Sequence, residues 1–302
     1  MPSYKLIVNP LAGKGHAALV AAEVKRLFAK MGVKYDYAQT THAGHAIELA
    51  QEAVQAGYDV LVAVGGDGTT HEVINGMMNN SESVGCRLAI IPAGSGNDFA
   101  AVNRIPTDIE QACQTVVKGQ TYLVDIGRIT IDDTIRRYFD NTIGIGLTGL
   151  VGIETRKTPW LRGIPLYLLA LLKTVFIHLK PIHINLDVDG VPSQRTTLMV
   201  NVANGQREGG GFMIAPQART NDGYLDLLVA DVIPRMQVLA LIPKFMNGTH
   251  LGHRAVHLQR VNNVTVSSTD KLYFHVDGEI LCEFAHRIKI QILPAHLRLI
   301  AP

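Results

Sequence analysis

The first third of the chain alternates short apolar runs with apolar residues at helical spacing. Residues 4–8, 34–38, 59–64 and 87–91 read as strands, and the last two are nearly continuous apolar runs, as strands covered on both faces are. Between them Ala17, Leu19, Val20, Val24, Leu27, Phe28 and Met31 recur at helical spacing. Ile47, Ala50 and Val54, then residues 72–78 and 108–117, mark three further helices. Repeated β-α units of this kind predict a parallel sheet with helices on its faces.

After about Leu123 the texture changes to strands, predicted at 196–202, 225–230, 264–267, 272–276, 280–284 and 288–293. Asp189-Gly190, Asn221-Asp222-Gly223 and Asp277-Gly278 supply turn signals between them. A second, mostly antiparallel β domain is therefore expected, joined without a Pro/Gly-rich linker.

Composition sharpens this only at the margins. The 302 residues have an ordinary globular composition and a net charge of +2, which gives no reason for a nucleic-acid partner. Cys86, Cys113 and Cys282 are far apart and read as buried thiols of a reducing, cytoplasmic compartment. The N-terminus runs straight into a strand pattern without signal-peptide features. Residues 164–179 are strongly apolar, but Lys173 and His178 interrupt them, and the stretch falls short of the roughly 20 residues a spanning helix needs. A core helix and a peripheral membrane contact both stay open. Arg156, Lys157, Trp160 and Arg162 just before it suit a headgroup boundary, and a domain interface would use the same pattern.

In an α/β sheet, ligands bind at the carboxyl ends of the strands, and two glycine-rich loops fall there. Gly65-Gly66-Asp67-Gly68-Thr69 precedes Thr70-His71-Glu72, which opens a helix. Such glycines let backbone N–H groups close on a phosphate, and the helix N-terminus adds partial positive charge. Bare phosphates would repel Asp67, so its presence implies a metal ion, Mg²⁺, between them. The second loop, Pro92-Ala93-Gly94-Ser95-Gly96-Asn97-Asp98, offers hydroxyl, amide and carboxylate groups at the same edge. Asn9-Pro10-Leu11-Ala12-Gly13-Lys14-Gly15 follows the first strand but lacks the spacing of a Walker loop. Gly144-Ile145-Gly146-Leu147-Thr148-Gly149 matches GxGxxG literally, yet lies outside the β-α-β region; its glycines read as sites of close backbone packing. His250, His253 and His257 read as surface histidines rather than a metal site.

In this order, Asn9-Pro10, Gly65 to Thr69 and Pro92 to Asp98 resemble the diacylglycerol kinase catalytic family, specifically its soluble bacterial lipid kinases. The likeness runs nearly end to end. Asp125-Ile126-Gly127, Asn204-Gly205, Gly209-Gly210-Gly211, Ala215-Pro216, Asp222-Gly223-Tyr224-Leu225-Asp226 and Asp277-Gly278-Glu279 resemble the family's later signatures. The resemblance implies an N-terminal three-layer nucleotide-binding α/β domain of the NAD kinase/diacylglycerol kinase type, over residues 1–125. A C-terminal β-sandwich domain for lipid follows over 126–293, and a last strand at about 294–302 returns to the first domain.

It also implies roles. Asn9, Pro10, Thr40, Gly65, Gly66, Asp67, Gly68, Thr69, Thr70, His71, Gly94, Ser95, Asn97 and Asp98 would serve ATP. Asp67, Asp98 and Asp125 would organise the Mg²⁺–ATP. Asp222, with backbone carbonyls at Arg219 and Tyr224, would hold a structural Mg²⁺. Glu279 would be the general base, with Asp67 as its catalytic counterpart. The chain departs from the family pattern in three places. Thr70-His71 replaces an aliphatic-Asn pair, Ser95 stands where Thr is common, and Leu147-Thr148-Gly149 lacks a carboxylate that many relatives carry.

The implied reaction is ATP-dependent phosphorylation of diacylglycerol or a related lipid at a membrane surface, giving a phosphatidate-type product. Alternatives are another lipid (phosphatidylglycerol, a sphingoid base), a soluble acceptor as in NAD kinases, or a non-catalytic sensor. A homodimer is compatible with the sequence.

Overall fold

Val60–Gly65 is buried at every position, and Arg87–Pro92 at all but the first, so both strands must be covered on two faces. The computed structural model describes residues 2–79, 85–158, 160–161, 163–209 and 211–302; Arg162 and Gly210, singled out above, lie outside the described residues. The chain divides into two compact units, Met1–Val124 with Ala295–Pro302, and Asp125–Pro294.

In the first unit, β1 (Tyr4–Val8), β2 (Tyr35–Gln39), β3 (Val60–Gly65) and β4 (Arg87–Pro92) form a parallel sheet in the order β4-β3-β1-β2. The C-terminal end of the last strand adds beside β4, pairing Leu299 with Leu88 in parallel. Helices α1 (His16–Lys30), α2 (His45–Gln55), α3 (Asp67–Met78), α4 (Asp98–Val102) and α5 (Ile109–Lys118) complete the unit. Val20, Val24, Leu27 and Phe28 of α1 pack with Val60, Val62, Ile91 and Cys113 in one core. Asp108 caps α5, its Oδ1 accepting the Gln111 N–H at 2.9 Å.

The second unit is β-rich. It comprises β5 (Gln120–Ile131), β6 (Ile135–Phe139), β7 (Thr142–Gly146), β8 (Ile182–Val188), β9 (Val191–Ala203), β10 (Arg207–Glu208), β11 (Phe212–Met213), β12 (Leu225–Asp231), β13 (Val256–Val261), β14 (Asn263–Leu272), β15 (Phe274–Val276) and β16 (Ala285–Ala301). β5 and β16 each have residues in both units, the divisions falling at 124/125 and 294/295. Antiparallel pairing runs β13-β12-β9-β8-β14-β16, and β7 links β9 to β15. Phe139, Ile143, Val200, Val202, Leu225, Val266, Phe274 and Ile288 share its core. Three helices, α6 (Leu147–Arg156), α7 (Gly163–Lys173) and α8 (Arg235–Asn247), build a separate apolar cluster. A π-helical turn, Thr174–His178, continues α7.

Several expectations are corrected. The glycine-rich stretch after β3 is not a free loop: α3 starts at Asp67, five residues before the predicted helix. Residues 280–284 form no strand; the Asp277-Gly278 turn closes a two-residue hairpin between Val276 and Glu279, after which the chain leaves the ladder. The apolar character there reflects Leu281 and Cys282 packing on the core, and Cys282 is half-buried. His250 is fully buried, its ring stacked on Phe245 at 3.9 Å and bonded to the Ile214 carbonyl at 3.1 Å. His257, by contrast, is exposed as expected, and pairs with Asp231 at 2.8 Å. The GxGxxG glycines do serve close packing: a Cβ on Gly149 would meet the Tyr273 carbonyl oxygen at 2.2 Å.

Candidate active site

Each parallel strand of the first unit ends in a short segment at the sheet's carboxyl edge. The ladder carries into these segments through Asn9 N–H to Val64 O (3.1 Å), Thr40 N–H to Val8 O (2.9 Å) and Ala93 N–H to Gly65 O (2.7 Å). Together they line a polar cleft of about 920 Å³ including its open mouth. Asn9, Thr40, Gly66, Gly68, Thr69, Gly94 and Ser95, all predicted, line it. Leu11, Thr41, His42, Ala43, Ala46 and Glu72 line it too and were missed, although the Thr40 prediction pointed at their neighbourhood.

The glycines here divide into two kinds. Gly66 and Gly94 lie face to face: a Cβ on Gly94 would come within 2.3 Å of the Gly66 Cα, so these two loops touch only because both lack side chains. A Cβ on Gly68 would meet nothing within 4 Å, because Gly68 faces the open cleft. There the first turn of α3 leaves N–H groups without intrahelical acceptors, a ready anion site. Gly68→Ala should therefore leave the ligand-free protein as stable or slightly more so, by up to about 1 kcal/mol. It should weaken nucleotide binding about tenfold or more, equivalent to roughly 1.4 kcal/mol. Paired melting curves and calorimetric titrations with ATP read both; unchanged affinity would remove phosphate from this helix end.

The remaining predicted residues support the loops. Asn97 has left-handed backbone (φ 57°), and its side chain brackets the turn, accepting from Gly94 N–H at 3.0 Å and donating to Gly94 O at 3.1 Å. Thr70 and His71 are buried in α3, where the His71 ring meets Asn75 Nδ2 at 3.3 Å. Pro10, Gly65, Asp67 and Asp98 likewise do not line the cleft itself. Asp67 binds the two loops together: its carboxylate accepts the Phe99 N–H at 3.3 Å, and the Asn97 and Asp98 N–H groups also reach it. Burial and then the charge of Asp98 push its carboxyl up to about 6, against those hydrogen bonds. A buried carboxylate with a second carboxylate, Asp98, beside it fits a hard divalent cation such as Mg²⁺.

Glu72 has a role that sequence spacing could not show. Its two carboxylate oxygens accept Gly44 N–H at 2.8 Å and Ala46 N–H at 3.1 Å, capping α2 from outside. This holds the Thr40–Ala46 wall of the cleft. Glu72→Ala should cost about 1–2 kcal/mol of stability. It should also raise the KM for ATP more than it lowers kcat, as steady-state kinetics would show. His42, His45 and Glu48 place three potential ligand atoms within 4.8 Å of one another. However, His42 Nδ1 bonds the Ala43 carbonyl and His45 Nδ1 the Thr41 N–H, both at 3.0 Å, so these nitrogens already serve the loop.

In the second unit Asp125 is buried beneath the Asp222 loop, its Oδ2 accepting Gly223 N–H at 2.7 Å. Asp222 faces Arg260 at 3.4 Å, and Arg260 also lies over the Tyr224 ring. Asp226, absent from the predicted ligand set, is pushed up to about 6 by burial and by Asp222, with Arg260 opposing. The neighbouring Asp222 and Asp226 carboxylates, beside Arg219 and Tyr224 in sequence, also suit a hard cation, although Arg260 already offsets part of their charge.

Glu279 sits half-buried at the end of the two-residue hairpin. Asp277 anchors that hairpin by accepting N–H groups of Asp140, Asn141 and Thr142 at 3.0, 3.1 and 2.7 Å. Behind it His275 Nε2 meets Glu208 at 2.8 Å, and Gly278 N–H meets His275 Nδ1 at 3.3 Å. Burial opposes the charged imidazole, but Glu208 and Asp277 outweigh it and hold His275 above its ordinary value. The α6–α7–α8 cluster encloses an apolar cavity of about 800 Å³ including its mouth, lined by Leu147, Val151, Leu171, Met199, Phe212 and Phe245 among others. Thr148, Tyr167, Glu208 and Asp231 are the acidic and hydroxyl-bearing residues on its wall.

Residues 3–129 match the diacylglycerol kinase catalytic domain family, and residues 141–301 match the YegS C-terminal NAD kinase beta sandwich-like domain. A diacylglycerol kinase of Bacillus subtilis (strain 168) is 30% identical over 283 residues, covering 92% of this chain and 90% of the relative. A diacylglycerol kinase of Mycobacterium tuberculosis (strain H37Rv) is 30% identical over 298 residues, covering 98% and 94%. A crystal structure of a diacylglycerol kinase from Bacillus anthracis str. Sterne gives a TM-score of 0.75 at 22% identity, covering 100% of this chain and 97% of that one, a likeness of fold.

Proposed function

The chain belongs to the diacylglycerol kinase catalytic family and is a lipid kinase, and we propose that it transfers the γ-phosphoryl group of Mg²⁺–ATP to the hydroxyl of diacylglycerol or a closely related lipid. The apolar cavity of the second unit carries this reading. A cavity lined almost wholly by apolar side chains suits hydrocarbon, which a soluble acceptor does not bring. Its wall also adjoins the Glu279 hairpin. Tyr167 and Glu208 line the cavity; a Cβ on Gly278 would lie 3.7 Å from Tyr167 Oη, and Glu208 reaches Gly278 through His275.

Phosphoryl transfer relies on positioning and on charge neutralisation. The α3 N-terminus and the Gly94–Ser95 turn would cradle the nucleotide phosphates. Asp67 and Asp98 would hold the Mg²⁺, which when bound offsets phosphate charge. Glu279 would accept the proton of the acceptor hydroxyl as its oxygen attacks phosphorus and ADP leaves. Asp277, Glu208 and His275 keep the hairpin, and hence that carboxylate, in one place.

Ala230 lines the cavity wall, so Ala230→Phe tests the reading. Activity toward a long-chain diacylglycerol in micelles should fall about tenfold or more, since overfilling a packed site costs about 1–3 kcal/mol. A dihexanoyl analogue should be spared. Equal losses for both chain lengths would detach the cavity from acceptor binding.

A further inference from the structure

We infer that the neutral imidazole of His275 holds the Glu279 hairpin in its working position and that a proton on His275 releases it, which makes His275 the positioning residue behind the acid limb of the transfer. The inference rests on the reading of Glu279 as proton acceptor for its purpose. The state of the His275 ring rests on contacts that do not involve the acceptor.

A backbone N–H can only donate, so the Gly278 N–H at 3.3 Å makes His275 Nδ1 an acceptor. A neutral imidazole carries one hydrogen, which then sits on Nε2 and is donated to Glu208 Oε1 at 2.8 Å. Glu208 is held on its other oxygen too, which accepts from Asn201 Nδ2 at 3.0 Å, while Asn201 Oδ1 accepts the Thr148 hydroxyl at 3.2 Å. Asn201 and His275 are both buried. The ring fits because two neighbours lack a side chain. A Cβ on Gly144 would lie 2.4 Å from His275 Nε2, and one on Gly152 would lie 3.3 Å from its Cβ. The imidazole is thus held in one orientation and, while neutral, in one tautomer. It bonds the glycine that immediately precedes Glu279, inside the turn closed by the paired N–H···O bonds of Val276 and Glu279 at 2.9 and 2.8 Å. Its one lone pair is spent on that N–H, so His275 is not itself the base.

A second proton can enter the ring only at Nδ1. There it meets the Gly278 N–H, two donors face each other, and the turn loses that bond. The charged groups that act on the ring are Glu208 from β10 and Asp277 from its own turn. β7 and α6 meet it with Gly144 and Gly152, and α7 brings Tyr167 Oη to the Gly278 side of the turn. The two carboxylates attract the proton and outweigh the burial of the ring, so His275 takes it up at higher pH than an ordinary histidine. Acidification therefore charges the ring at the expense of the Gly278 contact.

The test is kcat with diacylglycerol in micelles at saturating Mg²⁺–ATP, from about pH 5 to about pH 9. Saturating nucleotide removes the titration of Asp67 from kcat. The wild type should lose turnover on acidification. Glu208→Gln keeps an acceptor for Nε2–H and removes the charge, so its acid limb should move to about tenfold higher proton concentration. In His275→Asn, Oδ1 replaces Nδ1 beneath Gly278 and binds no proton, so the limb should vanish while the plateau falls about tenfold. His275→Phe offers no acceptor and should lose about 10²-fold at every pH, with ATP affinity unchanged by calorimetry. A limb that stays in place in both Glu208→Gln and His275→Asn would belong to another group and overturn the inference. A second measurement needs no turnover. Nitrogen NMR of histidine-labelled wild type, with His275→Asn identifying the signal, should show the proton on Nε2 above the limb and a second one on Nδ1 below it. A neutral ring protonated on Nδ1 would overturn the inference. The expected tautomer without turnover of any lipid would uphold the placement of His275 and contradict the acceptor reading alone.

Discussion

Glu279→Gln should lower turnover by about 10²–10⁴-fold while ATP binding stays near wild type, the range a positioned general base supplies. The substitution is nearly isosteric, and the hairpin beneath it is fixed by Asp277, whose carboxylate accepts three N–H groups of the segment entering β7. Gln keeps the size and hydrogen-bonding reach of Glu279 while removing the basic oxygen that would accept the proton. The outcome to measure is kcat with diacylglycerol in micelles alongside a calorimetric ATP titration. Near-normal kcat would assign Glu279 to the turn alone. A loss of ATP binding equal to the loss of rate would show that the residue acts on the nucleotide instead.

Asp67→Asn should abolish measurable turnover yet stabilise the ligand-free protein. The Asp67 carboxyl stands at about 6 against 3.8 for a free one, first because it is buried and second because Asp98 is near. A folded-state value raised in this way favours folding below the unfolded value, and the benefit is lost as pH rises through about 6. Above that, the charged carboxylate is a burden on the ligand-free fold. The shift corresponds to at most about 3 kcal/mol, and partial solvent access reduces it to about 1–2 kcal/mol. Asn keeps an acceptor for the Phe99 N–H while removing the charge, so the melting temperature should rise at pH 7.5 and the gain should shrink toward pH 4. A variant less stable than wild type at pH 7.5 would mean that the hydrogen bonds to the charged oxygen outweigh the repulsion. The same titration predicts that affinity for a divalent cation with ATP falls as pH drops below about 6, because the neutral carboxyl no longer offers a charged ligand.

The parallel-sheet half was legible because its signals are local. Continuous apolar runs mark β3 and β4, and helical spacing marks α1, so each element declares itself within its own residues. The segments that line the polar cleft were marked by glycines at strand ends. What stayed hidden depends on distant pairings. Glu72 caps α2 across 26 to 28 residues, and nothing near Glu72 announces it. His250 looks like a surface histidine until Phe245 and the Ile214 carbonyl enclose it. Residues 280–284 read as a strand because they are apolar, and Leu281 and Cys282 do pack on the core, but they join no strand ladder among the described residues. The apolar cavity is assembled from three helices and several strands, and no contiguous run of residues encodes it.

The central claim is transfer of phosphate to a lipid hydroxyl. Its most direct test is incubation of the full chain with γ-labelled ATP and Mg²⁺, offering diacylglycerol, phosphatidylglycerol, a sphingoid base and a polyprenol in micelles, and NAD and sugar phosphates in solution. Label recovered in an organic-phase product, greatest with diacylglycerol or a close relative, is the expected result. Label confined to a water-soluble acceptor, or released only as inorganic phosphate, would contradict it.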